Sequence, residues 1–256
     1  VLATGWRTGS TLLQRILMTD RGLLLWGEPL GRLGLLTRIS EAVCGVEAGW
    51  PPDEFWIDRR QPGDLTTAWI ANLFPPAETF RASLRALLER WLGEPARARG
   101  YARWGFKEVR LGAAEAMVLR WLYPAAHFVV TSRDPVAAYR SIKGAAKDWE
   151  LYARWPDHQV DCVVSFARHW DSLASSWSDP GDTRPNLAPL VIRYEDLAVR
   201  GHDLAPLASR LGLHLDPASA LATRVGQTDR PAAISRLEGF LLHRETRAGR
   251  RAMGYS

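Results

Sequence analysis

The chain has 256 residues, 46% of them hydrophobic, with a formal net charge of +5 and an isoelectric point near 9.5. That is the size and apolar content of one large α/β domain, and no apolar run approaches the ~20 residues a membrane helix needs. The basic excess is 30 Arg against 3 Lys and is scattered rather than striped, which argues against a nucleic-acid surface of clustered charge and suits a small, multiply anionic ligand.

The arginine bias fits a GC-rich bacterial genome. Cys44 and Cys162 lie far apart in apolar helical patterns without metal-like spacing. They read as buried free thiols in a reducing, cytoplasmic compartment.

In chain order, Val1–Thr4 reads as a short buried strand, Gly5–Ser10 as a loop and Thr11–Met18 as an apolar-periodic helix. Leu23–Trp26 is a second apolar run, closed by Gly27-Glu28-Pro29. Leu33–Val46 has helical period, and Gly49–Gly63, with three prolines and two tryptophans, is an irregular insert. Leu65–Leu73 and Phe80–Leu92 are again helical in period, Arg103–Val109 is a strand and Ala113–Leu122 a helix. His127–Thr131 is a strongly β run, and Pro135–Ile142 opens a helix with proline in its first turn. Cys162–Trp177 is a long helix, Leu187–Tyr194 a strand and Leu204–Leu211 a helix. From Arg224 onward the chain is polar, basic and poorly patterned.

Strands alternating with helices predict a parallel sheet covered on both faces, in one domain spanning 1–256. Ligands of such sheets bind beyond the carboxyl ends of the strands. Functional residues are therefore expected just after Thr4, Trp26, Phe106, Thr131 and Ile192.

Four motifs stand there. In Thr4-Gly5-Trp6-Arg7-Thr8-Gly9-Ser10-Thr11 a strand runs through small residues into a helix. Backbone N–H groups and the helix dipole converge on one point and favour an anion. A kinase or ATPase loop would carry Lys before the Ser/Thr pair, and no Lys precedes Ser10. In Thr131-Ser132-Arg133-Asp134-Pro135 a strand delivers an arginine fork suited to phosphate, with Ser141 two helical turns on. Arg193-Tyr194-Glu195-Asp196-Leu197 ends a late strand, and Gly105-Phe106-Lys107 places one of three lysines at the end of a middle strand. Taken singly, each also has a plain reading as an ordinary helix cap, strand end or solvated surface residue.

Together, in this order and spacing, the loop Arg7–Thr11, Arg133 with Ser141, and Tyr194-Glu195-Asp196-Leu197 resemble the sulfotransferases that use 3′-phosphoadenosine-5′-phosphosulfate (PAPS). The resemblance implies a P-loop-like fold and metal-free transfer of a sulfuryl group to an acceptor hydroxyl of a glycan, glycolipid or phenol. It implies that Arg7, Thr8, Gly9, Ser10 and Thr11 hold the 5′-phosphosulfate, that Arg133 and Ser141 hold the 3′-phosphate, and that Tyr194 lies against the nucleotide. Many members use a histidine base in a Lys-Thr-His context, and none of the six histidines here has that context. Others, resembling tyrosylprotein and bacterial carbohydrate sulfotransferases, use a Glu about 20 residues after the loop arginine. Glu28 lies 21 residues after Arg7, which implies Glu28 as base, with Arg7 and Lys107 stabilising the leaving phosphate oxygen.

The family also suggests a basic glycine loop near the C-terminus. Arg247-Ala248-Gly249-Arg250-Arg251 matches it poorly, so 236–256 reads as a disordered basic tail, with a donor-binding loop as the alternative. Trp50, Trp56, Trp69, Trp91 and Trp104 fall between the Glu28 and Lys107 segments, where an acceptor pocket is expected; singly, each reads first as a core residue. Two other readings stay open on the residues alone: a metal-dependent kinase on the same fold, and a nucleotide-binding module without turnover.

Overall fold

The computed structural model describes residues 1–29, 34–47, 51–61, 71–145, 160–177, 187–199, 203–222 and 232–255. The first half comprises β1 (Leu2–Ala3), α1 (Ser10–Leu17), β2 (Leu23–Trp26), α2 (Leu35–Glu47), α3 (Ala77–Leu88), α4 (Glu94–Ala98), β3 (Arg103–Phe106) and α5 (Ala113–Leu122). The second comprises β4 (Val129–Ser132), α6 (Pro135–Gly144), α7 (Val163–Ser175), β5 (Leu190–Arg193), α8 (Tyr194–Val199), α9 (Ala205–Leu211), α10 (Pro217–Ala222), α11 (Arg236–Glu245) and α12 (Arg247–Ala252).

All strand pairs are parallel. β4 lies between β1 and β5, with Ala3 opposite Thr131 and Ser132 opposite Arg193. β2 pairs with β3, Trp26 opposite Phe106. Val1 N donates to Phe106 O at 2.7 Å and Glu108 N to Val1 O at 2.9 Å. These two bonds join the pairs into one sheet of order β2-β3-β1-β4-β5, with every carboxyl end on the same edge. The expected α/β class, a P-loop-like parallel sheet flanked by helices, is what the chain forms.

Alternation along the strands decides which layer each side chain enters. Leu2 and Val130 pack with Leu36 of α2, Leu88 of α3 and Leu119 of α5. Leu23, Leu25, Val129 and Ile192 pack on the other face with α1 and α9. In α1 the apolar positions Leu13, Ile16 and Leu17 fall at helical spacing and are 0–2% exposed, which is why this segment winds up against the sheet. Among the described residues no helix is long and apolar enough to cross a membrane.

Several elements differ from expectation. The helix expected over Phe80–Leu92 is part of a longer rod from α3 to α4, with a wide π turn at Glu89–Gly93. Pro95 follows at once, and it has no N–H to continue a regular ladder. The last strand stops at Arg193, and Tyr194 opens α8 instead of closing the strand. Of the helix expected at Leu65–Leu73, residues 65–70 lie outside the described residues and 71–73 are turn and coil, not helix. Both cysteines are exposed, not buried: Cys162 caps α7, its sulfur accepting from Ser165 N.

The largest correction is the C-terminal segment, which is folded. Ser235 and Glu238 form a reciprocal capping box on α11, at 3.1 Å and 2.7 Å. Leu242 is fully buried in a cluster with Trp170 and Phe166 of α7, a burial worth about 1.5–3 kcal/mol. Gly249 lets α12 approach α7 closely, since a Cβ there would stand 2.6 Å from Ala174 and 2.8 Å from Trp170. The pattern was obscured because Leu237 and Phe240 on the same helix face solvent.

Candidate active site

The loop between β1 and α1 bends through three left-handed residues, Gly5, Arg7 and Gly9. Arg7 does so without being glycine, at φ 63°, a strain of about 1–2 kcal/mol that neighbouring contacts must offset. Arg133 Nη1 donates to Arg7 O at 3.1 Å. Thr8 is fully buried; its hydroxyl donates to Gly5 O at 3.2 Å and lies 3.0 Å from that of Thr131. The Thr8 side chain thus ties the loop to β4. Gly9 caps α1 with no side-chain hydrogen bond to the first turn, so the amides of Ser10 and Thr11 depend on other acceptors there.

The second and third motifs close on this loop. Arg7 Nε donates to Ser141 Oγ at 3.0 Å. The guanidinium of Arg133 lies 4.1 Å over the ring of Tyr194. That ring lies across Gly9, where any Cβ would meet Tyr194 Cδ2 at 2.5 Å. Burial pulls the Arg133 pKa below the usual arginine value, with Tyr194 and Glu195 opposing it. Asp134 caps α6, accepting from Ala137 N at 2.9 Å, and its other oxygen accepts from Arg250 Nη1 at 3.0 Å. Glu195 accepts from Asp134 N at 2.9 Å and from Tyr255 OH at 3.0 Å. The C-terminal segment therefore reaches the carboxyl edge of β4 and β5.

Glu28 and Lys107, on the loops after the adjacent β2 and β3, meet as an ion pair at 2.5 Å. Arg110 Nη2 reaches the other oxygen of Glu28 at 3.2 Å and Glu108 Oε1 at 2.6 Å. Neither Arg110 nor Glu108 was singled out in the sequence. The one available signal was the charged run Lys107-Glu108-Val109-Arg110 at a strand end, which in one dimension reads as a solvated turn.

His169, one of the six histidines without the Lys-Thr-His context, lies in α7 and stacks on Trp6 of the loop with ring centroids 4.7 Å apart. Of the tryptophans expected near an acceptor, Trp50 and Trp69 lie outside the described residues. Trp56 is buried against Phe74, and Trp91 and Trp104 pack on the α2–α5 layer. A cavity of about 60 Å³ lined by Arg120, His127 and Arg210 lies at the opposite, amino-terminal edge of β4 and β5.

A small-residue loop running from a central parallel strand into a helix, with arginine and lysine side chains at the neighbouring strand ends, defines a P-loop-like α/β protein. The chain belongs to the sulfotransferase family, whose model matches residues 3–215. No curated protein matches the chain.

Proposed function

We propose that the protein transfers a sulfuryl group from PAPS to an acceptor hydroxyl, and that residues 1–256 act as one unit in doing so. The observation that carries this reading is the meeting of three motifs far apart in sequence: Gly9, Tyr194 and Arg133 stacked together, with Arg7 on Ser141. A loop suited to one phosphate thus lies against an arginine and a serine suited to a second. That is the demand of a nucleotide carrying separate 5′ and 3′ anions.

The 5′-phosphosulfate sits at the amides of Gly9, Ser10 and Thr11, and the 3′-phosphate at Arg133 and Ser141. Tyr194 offers the nucleotide a flat face. Arg7 stands between the two anion sites. The acceptor oxygen attacks sulfur in line as its bond to the phosphate oxygen breaks. The electron pair of that bond stays on the phosphate oxygen, stabilised by Lys107, Arg7 and the loop amides. The acceptor proton passes to Glu28. Glu28 and Lys107 are adjacent, so the base and the cation serving the leaving group are held by one contact. The acceptor is an alcohol or phenol of a glycan, a glycolipid or a small molecule.

Thermal unfolding with ligands tests the reading. Adenosine 3′,5′-bisphosphate at ~100 times its Kd is expected to stabilise the protein by about 2.7 kcal/mol. ATP with Mg²⁺ is expected to do much less. If ATP with Mg²⁺ is the better ligand, a kinase reading replaces this one.

A further inference from the structure

The residues after β3 carry a buried charge pair for which the reaction as written has no use. Glu108 and Arg110 side chains are 1% and 3% exposed, and their ion pair is 2.6 Å long. Glu108 Oε1 also accepts from Val109 N at 2.7 Å, which ties it to the backbone. An ion pair buried this deeply loses hydration that a packed apolar pair of the same volume would not lose. This pair does not close on itself. Arg110 Nη2 is shared with Glu28 Oε2, whose side chain is 26% exposed. A buried cation held from behind by a buried anion thus touches a carboxylate that faces outward.

We propose that Arg110, held in place by Glu108, is a positioning residue that fixes the carboxylate of Glu28 for proton transfer. The inference rests on the reading of Glu28 as the base.

A carboxylate has about four lone-pair sites. Lys107 takes one on Oε1 and Arg110 one on Oε2. Both donors come from the same short segment, so the carboxyl plane is held at two points, and each oxygen keeps a lone pair for an acceptor hydroxyl. With Arg110 removed, Glu28 pivots on Lys107 alone. With Glu108 removed, the charge of Arg110 acts on Glu28 undivided and makes it a weaker base. Glu108 therefore divides the charge of Arg110 as well as anchoring it. Burial pushes the Glu108 carboxyl up and Arg110 opposes this. Among the described residues, the charged groups joined in this cluster are Glu28 after β2 and Lys107, Glu108 and Arg110 after β3; burial, then the charge of Lys107, lowers the Val1 amino group beside it to a pKa of about 5, so it adds little charge there at neutral pH.

The test uses the full chain with ¹³C at the glutamate carboxyl carbons, the Glu28 signal being assigned by its loss in Glu28→Gln. Arg110→Gln is expected to raise the pH midpoint of that signal and Glu108→Gln to lower it. Affinity for adenosine 3′,5′-bisphosphate is expected to change less than about threefold in either variant. Opposite shifts mark charge sharing, because loosened packing would move both midpoints the same way. Shifts in one direction, or none, overturn the proposal. If Arg110→Gln does not fold, Glu108→Gln decides alone, and an unchanged or raised midpoint overturns it.

With unsubstituted phenol as acceptor, which holds its proton at neutral pH and so needs the base, Arg110→Gln is expected to lower kcat about tenfold or more with little change in KM. Added to Glu28→Gln, it is expected to cost less than about twofold, because it acts through Glu28. A full further loss in that background overturns the positioning role. If the bisphosphate fails to stabilise the wild-type protein while the midpoints still move oppositely, the hold of Arg110 on Glu28 stands and the sulfuryl-transfer reading falls.

Discussion

Gly9 shows how one residue joins local and distant demands. Its φ of 83° suits glycine, and the Tyr194 ring occupies the space a side chain would need. Gly9→Ala is expected to cost about 1–2 kcal/mol from the backbone alone. It is also expected to push Tyr194 away from Arg133, weakening bisphosphate binding about tenfold, or about 1.4 kcal/mol. Gly45 of α2 is the control: nothing stands within 4 Å of its absent Cβ and its φ is ordinary. Gly45→Ala is expected to leave binding unchanged and to raise stability by up to about 1 kcal/mol. Calorimetric titration of both variants checks the contrast; equal affinities for the two would show that Tyr194 has no stake in the site. The glycine and the turn were legible in the sequence. The partner that makes the glycine indispensable was not, because Tyr194 stands 185 positions further along the chain.

At the scale of elements, α11 is held to α6 chiefly through Glu238. Its carboxylate receives Lys143 Nζ at 2.8 Å and 3.0 Å, Tyr139 OH at 3.1 Å and Ser235 N at 2.7 Å. Lys143 and then the Ser235 amide hold its pKa down at about 2, from an ordinary value of 4.5. A depressed carboxyl contributes stability that is fully present above its unfolded value and is lost as pH falls through its folded value. The contribution of Glu238 is therefore expected intact above about pH 4.5, with its loss complete only below about pH 2. Because its main partner Lys143 is 40% exposed and solvent screens the pair, its worth is expected to be under about 1 kcal/mol. Glu238→Gln is expected to remove that increment at neutral pH and to flatten the pH dependence of stability across this window. Denaturant unfolding at several pH values reads it, and a variant with an unchanged acid limb would place the anchor of α11 elsewhere. The capping box Ser235-x-x-Glu238 was present in the sequence. Its link to α6 was not visible there, and without that link the basic composition outweighed it.

For the whole molecule, the strand order brings groups from five strand ends to one edge, and the charges proposed for catalysis are all protein groups. Turnover is therefore expected to survive excess EDTA. An absolute requirement restored by Mg²⁺ or Mn²⁺ would overturn the mechanism. The sheet that permits this rests on pairings of long reach, such as Val1 with Phe106, 105 positions apart. Periodicity shows that strands alternate with helices, but it carries no information on which strand neighbours which.

The sequence by itself determined the local features. These are the alternating α/β pattern, the glycine loop opening a helix, Arg133 and Lys107 at strand ends, and Glu28 just past another. Each follows from backbone preference and from the rule that parallel sheets present their carboxyl ends to ligands, so short stretches suffice to read it. Only the tertiary structure decided the rest. It set Tyr194 on Gly9, docked α11 and α12 on α7, and turned Glu108 and Arg110 inward to meet Glu28. Those outcomes depend on which surfaces exclude water together, and a charged residue in sequence carries no mark of whether its partner is solvent or a carboxylate 82 positions away.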